Sequence, residues 1–264
     1  MDLGLGGKVA WVLGASSGLG RATAEALARE GATVAVSARR QDELARVAKD
    51  ISNETGTRCT PLPLDVTDAS AIGETAKRVM AELGAVDVLV ANAGGPPPGM
   101  FEDFDDDALY AAFTLTTASA WRLAKAVTPG MKERGAGCLI FLTSTSTKEV
   151  VSNLLLSNMM RAAVVGMAKT LSKELAPQGI RVLCVAPGRI ETARLQQIDE
   201  AASKRSGKTI EEIRTSIQSG IPLGRYGRPE EFGATVAFLA SERASYINGV
   251  TVTVDGGMLS SVLS

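Results

Sequence analysis

VAWVLGASSGLGRATAEALAREG, residues 9–31, holds the turn that decides the fold. An apolar run leads into Gly14, Ser16, Ser17, Gly18, Leu19 and Gly20, and a helical pattern follows, with apolar positions three and four apart and a glycine at its stop. A glycine-rich strand-to-helix turn brings backbone N–H groups against a pyrophosphate at the positive end of a helix. The spacing is GxxxGxG and not the GxGxxG of the general dinucleotide fingerprint. Its place in the larger pattern therefore carries the reading.

That pattern repeats outward. TVAVSA (33–38), TPLPLDV (60–66), VDVLVANAG (86–94), CLIFLTS (138–144), IRVLCVAP (180–187) and VTVTVDGG (250–257) are further short apolar runs, separated by amphipathic segments such as RAAVVGMAKTLSKELAPQG (161–179). Strands apolar on both faces and alternating with helices predict an α/β fold, a doubly wound parallel sheet of seven strands with helices on both faces. A chain of 264 residues suits one such domain over 1–264. Pro96 to Pro98 read as a stiff loop. The polar stretch 192–220 interrupts the rhythm as one or two helices, placed after a strand end where a lid would sit.

Composition removes several classes of function. The net charge is −1, which leaves no electrostatic footprint for nucleic acid or a membrane surface and points to a small-molecule ligand. No apolar run reaches the length of a membrane span. Cys59, Cys138 and Cys184 are scattered without metal spacing, so the expectation is reduced thiols, no metal and a cytoplasmic location. There is no histidine, so any proton chemistry must come from other groups.

Ser37-Ala38-Arg39-Arg40 closes the second strand. An acid there would accept a bond from a ribose 2′-hydroxyl, whereas arginine accommodates a 2′-phosphate, so NADP(H) is favoured over NAD(H).

LGASSGLG, DVTD (65–68), ANAG (91–94), APG (186–188) and the closing VDGG, in that order, resemble the short-chain dehydrogenase/reductase family, most closely its 3-oxoacyl-carrier-protein reductase-like branch. The resemblance runs from about residue 6 to 257. It implies a Rossmann-type seven-stranded domain, hydride transfer between a nicotinamide and a carbonyl or alcohol, and assembly as a homodimer or homotetramer. By position it implies Asp65 and Val66 beside the adenine, Asn92, Ala93 and Gly94 along the cofactor, and Pro187, Gly188, Ile190 and Thr192 near the nicotinamide.

The catalytic positions depart from the family. Ser144 matches the family serine, but Ser157 stands where the tyrosine belongs and Arg161 where the lysine belongs, and the relay asparagine falls near Thr116. Leu13 also replaces a customary threonine. Spacing of four places residues 157 and 161 on one helix face. Arginine keeps the charge and five donors but does not release its proton in proteins. Tyr226 and Lys148 are alternative proton donors. Three readings stand: an NADP-dependent oxidoreductase with an atypical site, a silent cofactor-binding sensor or partner subunit, and a non-redox dehydratase or isomerase.

Overall fold

The computed structural model describes residues 2–261. Its strands are β1 (Val9–Leu13), β2 (Thr33–Ser37), β3 (Cys59–Pro61), β4 (Val88–Ala91), β5 (Gly137–Leu142), β6 (Ile180–Pro187) and β7 (Thr251–Val254). They form one seven-stranded sheet in the order β3-β2-β1-β4-β5-β6-β7, and every neighbouring pair is parallel. The expected doubly wound α/β sheet is therefore present. The third strand is shorter than the apolar run 60–66 suggests, because Pro61 and Pro63 cannot donate to a ladder.

Alternation along each strand divides the core in two. Ala10, Val12, Val34, Val36, Val90, Ile140 and Leu183 face α1 (Gly18–Arg29), α2 (Gln41–Thr55) and α9 (Pro229–Ala240). Trp11, Leu13, Leu89, Leu139, Phe141 and Val182 face α3 (Ala69–Leu83), α5 (Ser119–Arg134) and α6 (Leu155–Glu174). Trp11 is fully buried, and its indole N–H donates to the Ser37 hydroxyl at 2.9 Å. Two-sided burial explains why these strands read as unbroken apolar runs.

The remaining helices lie around the carboxyl ends of the strands. α4 (Asp106–Ala112) passes into α5 through a π turn over Phe113–Ala118, and α7 (Ala193–Ser206) and α8 (Ile210–Ser219) are the two helices of the lid-like segment. Sheet order reverses between β1 and β4, where ligands of open α/β sheets bind.

Candidate functional site

The glycine turn is a backbone cradle. Gly14 and Gly18 have φ of +62° and +57°, the left-handed region that favours glycine. A Cβ on Gly14 would lie 2.6 Å from Asn92 Nδ2, and one on Gly20 would lie 2.3 Å from the Gly14 carbonyl oxygen. Asn92, just past β4, donates to the Leu13 carbonyl at 3.3 Å and ties the two strand ends together. At the start of α1, Ser17 makes no side-chain cap and the first turn carries no acid, so its amides remain open to an anion.

Beside the cradle stand the two arginines. Arg40 pairs with Glu43 at 2.8 Å and reaches the Ser16 hydroxyl at 3.3 Å. Arg39 is exposed. The Asp65 carboxyl accepts from the Thr67 amide and hydroxyl at 2.9 and 2.8 Å. Those bonds, helped by the Arg39 charge, hold it below the usual carboxylate range. Val66 is half-buried beside it.

On the opposite wall of the crevice, α6 carries Ser157 and Arg161. Arg161 Nη1 donates to the carbonyls of Leu142 and Thr143, each at 3.0 Å, and Nε reaches Ser157 Oγ at 3.3 Å. Nη2 takes no hydrogen bond among the described residues and passes 3.8 Å from where a Cβ would stand at Gly95. Burial lowers the guanidinium to about 10, which leaves it charged at neutral pH. A cavity of about 20 Å³, room for one water, is lined by Asn92, Ala93, Thr116 and Arg161. Thr116, in the π turn, is buried with its hydroxyl unpartnered. Ser144 follows β5, and its hydroxyl accepts from the Ser146 amide at 3.1 Å.

The family model described as enoyl-(acyl carrier protein) reductase matches residues 14–259. This chain is a short-chain dehydrogenase/reductase. The NADPH-dependent reductase BacG of Bacillus subtilis is 33% identical over 97% of this chain and 99% of its own length. The 3-oxoacyl-[acyl-carrier-protein] reductase FabG of Salmonella typhimurium is 37% identical over 96% and 97%. L-sorbose reductase from Gluconobacter frateurii, solved with NADPH and L-sorbose, superposes with a TM-score of 0.94 at 33% identity and covers 99% of this chain and 100% of that one.

In this short-chain dehydrogenase/reductase the other wall comes from the segment that follows β6. Gly188 lies where a Cβ would fall 2.6 Å from Asp255, locking the ends of β6 and β7 together. Ile190 is buried and bridges to Gly227. The Thr192 hydroxyl caps α7 through the Leu195 amide at 3.2 Å, while its methyl lies 3.4 Å from the Cβ position of Gly18. Pro187 to Thr192 thus cross from the sheet to the cradle. Gly94 has open space where a side chain would stand.

The geometry gives each of the two alternative proton donors a partner. Tyr226 is buried and donates to Asp199 Oδ2 at 3.1 Å, and burial together with that acid pushes the phenol up to about 12. A phenol held that way is a poor acid. Lys148 donates one of its three N–H groups to the Thr251 carbonyl at 3.2 Å. Sequence reasoning missed Asp199, 1% exposed on the inner face of α7. Its signal was an acid four residues after Leu195, in register with the buried face of that helix.

Proposed function

We propose that the protein is an NADP-dependent oxidoreductase that acts on a small carbonyl or alcohol through an atypical site. The observation that carries this reading is Arg161, locked by two strand carbonyls with Nη2 left open beside Gly95, across the crevice from an uncapped glycine cradle. The residues present fit a nicotinamide dinucleotide: Gly14 and Gly20, where a Cβ would strike Asn92 and the Gly14 carbonyl, let the turn fold tightly with its backbone N–H groups toward an anion, while Arg40 reaches Ser16 and its exposed chain neighbour Arg39 adds a second charge for a 2′-phosphate. When bound, NADP(H) supplies or accepts the hydride. BacG and the L-sorbose reductase, which share most of their length with this chain, are described with NADPH.

The chain's own side chains then divide the work. Gly14 to Gly20 and the first amides of α1 bind the pyrophosphate. Asp65 and Val66 flank the adenine, Asn92 to Gly94 line the cofactor path, and Pro187 to Thr192 close over the nicotinamide end. Ser157 and Arg161 bind ribose hydroxyls, and Arg161 with Ser144 polarises the substrate oxygen. Arg161 stays protonated, so it contributes fixed charge and not a transferable proton. With Tyr226 held by Asp199, solvent beside Arg161 and Thr116 delivers the proton.

Tyr110, Phe113, Trp121 and Met159 stand exposed on α4, the π turn, α5 and α6, which supports a homo-oligomer. Three buried free cysteines support a reducing, cytoplasmic setting, and no described helix is long and apolar enough to cross a membrane.

Titration of the protein with NADPH and NADH, followed by nicotinamide fluorescence, tests the cofactor. Micromolar NADPH binding is expected. Arg39→Ala should weaken it about tenfold or more, roughly 1.4 kcal/mol, and leave NADH little changed. Equal weakening of both cofactors would remove the 2′-phosphate role, and binding of neither would overturn the oxidoreductase reading.

A further inference from the structure

The lid encloses more than the crevice requires. Between α7, α8 and the loop 221–228 lies a second cavity of about 280 Å³, near the low end of ligand-sized clefts, lined by Glu191, Thr192, Gln196, Asp199, Arg214 and Tyr226. A further space of about 330 Å³ adjoins it, shares Glu191 and Tyr226, and extends past Arg225 and Arg228. Asp199 lines the first of these and is 1% exposed. One of its carboxyl oxygens accepts from Tyr226; the other, Oδ1, has no hydrogen bond among the described residues and makes only a long ion pair with Arg189 Nη1 at 4.0 Å. Buried acceptors are normally satisfied, so this oxygen is an open demand for a donor.

The surrounding charges narrow the donor. Glu191 and Asp199 are balanced by Arg189 and Arg214; Arg214 pairs with Glu191 and lies 5.0 Å over the Tyr226 ring. With each acid already paired to an arginine, an added ammonium meets two guanidiniums and an added anion meets two carboxylates. A neutral hydroxyl meets neither penalty. We propose that this cavity is a second binding site, for a neutral hydroxyl-bearing small molecule that donates to the free oxygen of Asp199. The site shares Thr192 with the nicotinamide end of the crevice, but it does not rest on the reading of Arg161 or on turnover.

Saturation-transfer NMR on the full chain tests it, with glycerol as probe against 1,2,3-trimethoxypropane, which has no donor, and propylammonium, which is charged. Glycerol should give a saturable signal, and the other two should not compete with it. Asp199→Leu, which removes the acceptor, and Gln196→Trp, an exposed position at the cavity wall, should each weaken glycerol at least fivefold. The second variant keeps the test valid if the first fails to fold. Equal binding of the ether, preference for the cation, a signal unchanged in the variants, or no saturable glycerol signal would each overturn the proposal. NADPH titration run alongside reports the cofactor reading separately.

Discussion

At the scale of the residue, the site turns on two side chains one helical turn apart. Ser157 is a far weaker acid than a phenol, and Arg161 is fixed to the ends of β5 by the Leu142 and Thr143 carbonyls. Restoring the family pair as Ser157→Tyr with Arg161→Lys should raise carbonyl reduction at least tenfold, since a positioned acid typically contributes about 10²- to 10⁴-fold. Unchanged turnover with intact NADPH binding would count against a latent reductase site. Glu231 permits a pH prediction. It accepts from Arg225 at 2.7 and 2.9 Å and from the Arg228 amide at 2.7 Å, which lowers its carboxyl to about 2. A depressed carboxyl stabilises the fold above its unfolded pKa, about 4.3, and that contribution disappears as pH falls to about 2. Glu231→Gln should therefore cost up to about 1 kcal/mol at pH 7 in denaturant melts, and the gap should close by pH 2. The positions of Ser144, Ser157 and Arg161 were legible by counting. The partners of Tyr226 and Lys148 were not, because Asp199 and Thr251 lie 27 and 103 residues away along the chain.

At the scale of the element, strand identity was open to reading from sequence because two-sided burial writes itself as apolar runs, and the lid because polarity broke them. The π turn at Phe113–Ala118 was hidden. Its sequence, FTLTTA, carries no local signal that separates i+5 from i+4 bonding; Thr117 donating to the Met160 carbonyl at 3.1 Å, on α6, shows how tertiary contact enters. One product of the turn is the unpartnered hydroxyl of Thr116. Thr116→Val keeps the shape and removes that hydroxyl, so thermal melts should show stability unchanged or raised. A fall of several degrees would mean the hydroxyl is bonded in solution.

At the scale of the whole molecule, the parallel seven-stranded sheet followed from the alternation of strands and helices, whereas assembly did not, because an apolar position on α5 or α6 looks the same from sequence whether it faces the core or a neighbour. Trp121 is half exposed and covered in part by Lys125 at 4.7 Å from its ring, while Met159 stands open on the next helix. Light scattering after size exclusion should give a dimer or tetramer, and Trp121→Glu with Met159→Glu should reduce its mass; an unchanged monomer in both would remove this face as an interface. The two tryptophans have a further use. Trp11 is sealed in the core against Ser37 and Trp121 meets solvent. The molecule thus carries two lamps of different colour. The blue-shifted emission of one, dark to iodide, dims only when the sheet opens, and the red-shifted, quenchable emission of the other changes when copies meet, so a single emission spectrum separates unfolding from dissociation without any label.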